Sequence, residues 1–194
     1  MNFNVFQTMD LLEELLGLYF IETPFEFKSS DNTITYKKEV PHIYKWVVPM
    51  DDRNSMNYPN KIPSIALILD SLDANGNMPK ASITAHTAVV NPAISDSEIC
   101  VYDAKKERWI FKDDAGYTQD KAYMDLYQNS LLLGTELITA LNRISKGALS
   151  LSNLDFTPPD TEMADFPYST SSVSFDVSYR LSNRSIPEDY KNLL

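Results

Sequence analysis

The chain has 194 residues and is acidic, with 27 Asp and Glu against 17 Lys and Arg, a formal net charge of −10 and only 2 His. Such a surface repels phosphate backbones, which excludes an ordinary nucleic-acid reader. A hydrophobic content of 43% with 9 Phe and 11 Tyr supports one core that buries roughly 70% of the unfolded surface, and the single Cys100 excludes an internal disulfide and fits a reducing compartment.

The opening stretch MNFNVFQTMDLLEELL has no basic run and holds Asp10, Glu13 and Glu14 within its apolar part, so it does not read as a signal peptide. Nor does any apolar run reach the ~18 residues that a membrane span needs. Val5, Met9, Leu12, Leu16 and Tyr19 follow alternating steps of four and three, which predicts an amphipathic first helix. Gly17 and Pro24 predict that it stops around residues 17 to 20.

From Phe25 to Pro49 the composition shifts to Thr, Ile, Tyr, Val and Trp, and predicts two strands. Ile43, Lys45 and Val47 alternate there with Tyr44, Trp46 and Val48. Residues 50 to 61 are polar and turn-rich, a connecting loop. Ile65 to Leu69 is short, apolar and uninterrupted, the pattern of a central strand covered on both faces. Asn75-Gly76 then accepts positive φ at low cost, so residues 62 to 90 read as a long hairpin. Ile99–Tyr102 and Arg108–Phe111 predict a second, shorter hairpin tipped by Lys105 and Lys106, lysines that also protect an edge.

Tyr117 to Lys146 is the longest helical pattern, with Thr118 or Asp120 as N-cap and Gly147 past its end. Its stripe of Tyr123, Leu126, Tyr127, Ser130, Gly134, Leu137, Leu141 and Ile144 is small at the centre, so Ser130 and Gly134 let the helix approach a neighbour closely, the sheet of the same chain. After a proline-rich passage from Thr157 to Tyr168, Val173, Phe175, Val177 and Tyr179 alternate with Ser174, Asp176, Ser178 and Arg180. A half-wet strand of this kind belongs to an antiparallel sheet with helices on one side, which makes the class α+β. The chain reads as one domain, 1–194, with residues 181–194 an extended tail.

Residue chemistry gives no catalytic, cofactor or metal assignment. His42 and His86 are distant in sequence and share no short-spaced ligand cluster with Cys100. No G-x-S-x-G elbow and no phosphate-cradling glycine loop occurs. The run from Asp73 to Asn77 imitates the start of a calcium loop, but Met78 and Thr84 stand where a glycine and a bidentate glutamate are needed. The pairs Asp51-Asp52 and Asp113-Asp114 read as solvated turn carboxylates. Asn183-Arg184-Ser185 matters only in a secreted chain.

Three short motifs stand in order along the chain: Ile62-Pro63-Ser64-Ile65-Ala66-Leu67, then Gly116-Tyr117 with Tyr123-Met124-Asp125-Leu126, then Phe166-Pro167-Tyr168 ahead of Val173 to Tyr179. With the N-terminal helix, this order resembles the small tail-completion or tail-terminator proteins of long-tailed bacteriophages and prophages of Gram-positive bacteria. The likeness covers most of residues 1 to 180 and departs from the family pattern between residues 25 and 60.

The resemblance implies a non-enzymatic virion protein assembled in the bacterial cytoplasm. It implies self-association into a ring, usually of six subunits, that caps the tail tube and contacts tail-tube and head-connector proteins, with DNA only as transiting cargo. An acidic lumen suits such transit, because a basic one would retain phosphates. A binding module would instead show a deep apolar pocket, and an enzyme without a sequence signature would show converging titratable groups.

Overall fold

The computed structural model describes residues 4–28, 38–46, 62–73, 79–95, 97–113, 116–145, 149–160 and 167–179. In chain order these form α1 (Val5–Glu22), β1 (Phe25–Glu26), β2 (Lys38–Glu39), β3 (His42–Lys45), β4 (Ser64–Asp73) and β5 (Lys80–Val90). A 3-10 turn (Pro92–Ser95) leads to β6 (Cys100–Asp103), β7 (Arg108–Phe111), α2 (Gln119–Ile144), β8 (Leu149–Thr157) and β9 (Tyr168–Tyr179). The class is α+β, and the main sheet has five strands in the order β3-β4-β5-β9-β8. Only β3 runs parallel to its neighbour β4; the remaining pairs are antiparallel.

The first helix begins where Asn4 accepts from the backbone N–H groups of Phe6 and Gln7, an N-cap that satisfies two otherwise orphaned donors. All five residues of its predicted apolar row lie on the inner side, and Met9, Leu12 and Leu16 are fully buried. The helix continues past Gly17 to Glu22, longer than the sequence predicts. Tyr19 and Phe20 extend the buried face, which outweighs the glycine's cost of about 1 kcal/mol, and the halt comes at Thr23, held off the α region by Pro24.

Where two strands are predicted between 25 and 49, the described residues of that interval form three short ones. β1 and β2 form a separate two-stranded sheet, while β3 joins the main sheet at its edge. Ile43 and Lys45 share the helix side with Ile65 and Leu67, their register partners. The interval 47–61 lies outside the described residues, as do the Asn75-Gly76 turn and the tail 181–194.

Within residues 62–90, Ser64–Asp73 and Lys80–Val90 do pair antiparallel as predicted, interrupted by one extra residue in β4 between Leu69 and Ser71. Burial on both sides holds from Ser64 to Leu67 and lapses at Ile68 and Leu69, short of the predicted stretch.

The last strand behaves as its alternation predicts. Val173, Phe175 and Val177 are buried beneath the helices and Ser172, Ser174, Asp176 and Ser178 half-exposed opposite; the Tyr179 side chain is outside the described ones. Its outer neighbour β8 has no counterpart in the sequence reading. Leu149 and Leu151 set an inward phase that an extra residue between Ser152 and Asp155 reverses, so Leu154 and Phe156 become the next inward residues. Asn153 adopts φ 55 there, a left-handed conformation that Asn accepts more readily than most residues.

The second helix starts at Thr118, whose hydroxyl accepts from the Lys121 N–H, as one of the two predicted caps requires. It ends at Ile144 with Ser145 as cap; Gly147 is outside the described residues. Leu126, Leu133, Leu137 and Leu141 pack with Ile83, Ala85, Val173 and Phe175 in one core, where each fully buried side chain of this size contributes about 1.5–3 kcal/mol. At Gly134 the helix lies tight against the sheet. A methyl group there would overlap the Phe156 ring and lie 2.9 Å from Ser171 Oγ.

The two helical glycines therefore respond oppositely to the same change. Gly134→Ala is expected to lower unfolding free energy by about 1–3 kcal/mol through overpacking. Gly17→Ala, with nothing within 4 Å of the added carbon, is expected to raise it by about 0.5–1 kcal/mol. Urea denaturation of the two variants checks both signs, and a loss of stability at Gly17 or a gain at Gly134 contradicts this packing.

Candidate interaction surfaces

Helices occupy one side of the main sheet and leave the other side polar. Register places Ser71, Ser82, Asp176 and Ser152 in one row across it, and Ile68, Thr84, Ser174 and Asp155 in the next. Short bonds tie these rows together. Thr84 donates to Asp70 at 2.6 Å and shares a 2.9 Å bond with Ser174, Ser82 donates to Asp176 at 2.7 Å, and Asn153 donates to the other oxygen of Asp176 at 2.7 Å.

Those donors favour the ionised carboxylate and hold Asp176 below its ordinary pKa, with the Ser82 hydroxyl the largest cause and Lys80 a smaller one. Asp70, Asp73, Asp155 and Asp176 give this side four carboxylates against Lys80 as its described ammonium.

The two histidines meet on this side without joining in one site. His42 stacks on Tyr44 at 6.4 Å and aligns with Ser64, while His86 lies two strands away beside Ala66 and Ser172. Among the described residues no three His, Cys, Asp or Glu side chains come together as metal ligands would. Asp113 is exposed, whereas Asp51, Asp52 and Asp114 fall outside the described residues. Asp73 pairs in register with Lys80, and the remainder of the calcium-like run, 74–77, is likewise outside. Cys100 is buried at the base of the β6–β7 ribbon, where burial pushes its thiol up to about 11 and so suppresses the reactive thiolate. No described helix is long and apolar enough to cross a membrane.

The sequence reading places Ser130 inward but does not mark Asp125 and Asn129 of α2, or Asn91, as buried. Asp125 is fully buried and accepts from the Tyr117 hydroxyl at 2.7 Å. Asn91, also fully buried, donates to the Ala122 carbonyl at 2.7 Å and to the Tyr117 oxygen at 3.3 Å. One turn further on, Asn129 receives the Lys28 N–H at 2.6 Å and donates to the Lys28 carbonyl at 2.8 Å, as a neighbouring strand would. The i, i+4 spacing of Asp125 and Asn129 on the apolar stripe is the signal that marks them as inward.

This network anchors the ribbon, because Phe111 of β7 packs against Tyr117 at 5.8 Å and Lys112 N donates to Ile99 O at 3.0 Å. Beyond that base the ribbon is exposed on both faces, with Val101 39% and Tyr102 47% accessible, and Lys105 and Lys106 lie exposed at its turn as the sequence predicts.

On α1 a second exposed group forms. Phe6, 66% accessible, pairs with Trp46 at 5.3 Å, and Lys45 beneath them bonds Asp10 and Glu13 at 2.6 Å each. Trp46 adopts φ 72, a strained conformation for a bulky residue, immediately after β3 ends.

Compared with known proteins, the chain matches no family model and no curated protein sequence.

Tyr117→Phe removes the 2.7 Å donor from buried Asp125 and is expected to cost about 1–3 kcal/mol, read from denaturant midpoints. A second expectation concerns pH. Because the native pKa of Asp176 is lowered, its contribution is complete above the ordinary carboxylate pKa and is lost as pH falls through the native value. The stability difference between wild type and Asp176→Asn should therefore be constant near neutrality and shrink in acid. A difference that stays flat down to strongly acidic pH contradicts the clamp.

Proposed function

We propose that the protein is a tail-terminator-like ring subunit of a long-tailed phage or prophage, which caps the completed tail tube and joins it to the head connector. The reading is supported by the order and stacking of the elements: an amphipathic N-terminal helix, a long antiparallel pair, a long helix opened by Gly116-Tyr117, and a half-wet terminal strand, with both helices on one side of the sheet. The ring is expected to hold six copies.

In this reading the polar side of the sheet faces the lumen. The hydroxyls of Ser82, Thr84 and Ser174 at its centre are engaged with one another and with carboxylates, so they are poor donors to phosphate, and the excess of Asp over Lys repels it. DNA then passes without being held.

Electron microscopy of particles made with and without the protein tests the proposal. The expected result without it is tails of irregular length that fail to join heads, and ring-shaped density at the tube's head-proximal end when it is present. Normal-length tails that join heads in its absence would overturn the reading.

A further inference from the structure

A two-stranded ribbon is marginal by itself; Trp109 and Phe111 of one face pack against the small core around Cys100 and Tyr117, while Val101, Tyr102 and the turn at Lys105 and Lys106 are exposed and available to an outside surface. Its chemistry is unlike that of the rest of the chain. Along the ribbon Lys105, Lys106 and Arg108 stand against Asp103 and Glu107, three cations less two carboxylates, a local charge of +1 in a chain of net −10, and Lys112 and the exposed Asp113 that follow cancel. Tyr102 and Trp109 pack edge to face at 5.4 Å on the same ribbon, and Tyr102 is nearly half exposed.

The exposed side of α1 has the opposite character. The helix carries Asp10, Glu13, Glu14 and Glu22 with no Lys or Arg, and Lys45 offsets one of these four charges, leaving −3. The accessible Phe6–Trp46 pair lies at the N-terminal end of this row, where Asp10, one turn from Phe6, and Glu13 both bond Lys45 beside Trp46. Both surfaces thus combine exposed aromatic rings with charge, and the signs are complementary. Aromatic anchors ringed by complementary charge are the usual makings of a specific protein contact.

We propose that the β6–β7 ribbon of one copy docks on the Phe6–Trp46 face of α1 in a second copy. The two surfaces are different parts of the same chain, so the contact is heterologous and propagates from copy to copy until the rotation closes a ring. The closed ring rests on the function proposed above; the contact does not. A nucleic-acid strand is disfavoured as occupant of the ribbon, since the large net negative charge of the chain opposes its approach.

The test places a photoreactive benzoylphenylalanine at position 102 of the full chain and irradiates concentrated protein. The expected product is a ladder of cross-linked copies whose linked peptides pair position 102 with residues 5–21 or Trp46 of another copy. Phe6→Ala in the same background should lower the yield roughly tenfold, the loss expected on truncating an aromatic anchor.

Mixing supplies the directional readout. A ribbon variant (Lys105→Glu, Lys106→Glu, Arg108→Glu) and a face variant (Phe6→Ala, Glu14→Lys) should each fail to form ladders, yet together stop at a one-to-one dimer. Circular dichroism melts establish that both are folded, and should either not fold, the position of the cross-link in the otherwise native chain decides alone.

Linkage elsewhere on the chain, linkage to nucleic acid, or none at all would overturn the contact. If position 102 links to α1 while tails form normally without the protein, the contact stands and the tail-terminator reading falls. If tails fail without the protein but the link maps elsewhere, the contact alone falls.

Discussion

The fold depends on how closely α2 lies against the sheet at Gly134. Because that position has no side chain, the Phe156 ring of β8 can reach beneath the helix, and Ser171 of β9 can donate to the Ser130 carbonyl at 3.3 Å. Thr87 and Ser171 then share a 2.7 Å bond at the same level, so small hydroxyl residues fill what larger apolar ones would hold open. The leucines above and below, Leu126, Leu133, Leu137 and Leu141, are fully buried against the sheet, and a bulkier middle layer would hold them away from it. Tyr19 carries the constraint on to α1, donating to Glu136 at 3.2 Å with the Arg143 guanidinium 5.7 Å over its ring.

Much of this was legible in the residues. Ser130 and Gly134 at the centre of the α2 stripe told of close packing, and the unbroken alternation in β9 identified both its buried and its wet side. The signals failed where one periodicity was interrupted by another. The reversal of phase at Asn153 hid β8, since neither half of the strand is long enough to read alone. Gly17 looked like a helix end because a glycine's intrinsic cost is local, whereas the burial of Tyr19 and Phe20 that outweighs it is tertiary. Parallel pairing of β3 with β4 could not be seen, because alternation records which way side chains point and not which strand lies alongside.

Surfaces were less legible than the core. Lys105 and Lys106 at a hairpin turn were plain, but the meeting of Phe6 with Trp46 joins residues from different elements and needs the fold to bring them together. Asp125 and Asn129 were misread by omission, since polar residues in a helix ordinarily face water. Here they are inward because backbone groups at Lys28 and the Tyr117 hydroxyl need partners away from solvent. The histidines, cysteine and acidic pairs drew attention by residue type, yet the described ones share no constellation.

The two extra residues in the main sheet have a consequence for how such a chain can vary. One lies in β4 and the other in β8, on either side of the β5–β9 pair, and at each a side chain, Asp70 or Asn153, reaches back to a residue of that pair. Inserted residues sharpen the local twist, so each of the two flanking strands bends where it meets the central pair. Losing one of them would restore a regular ladder but turn the remainder of that strand inside out. A change of length in β4 or β8 is therefore a change of face for half a strand, whereas a change of residue on the wet side alters only the bonds that residue makes.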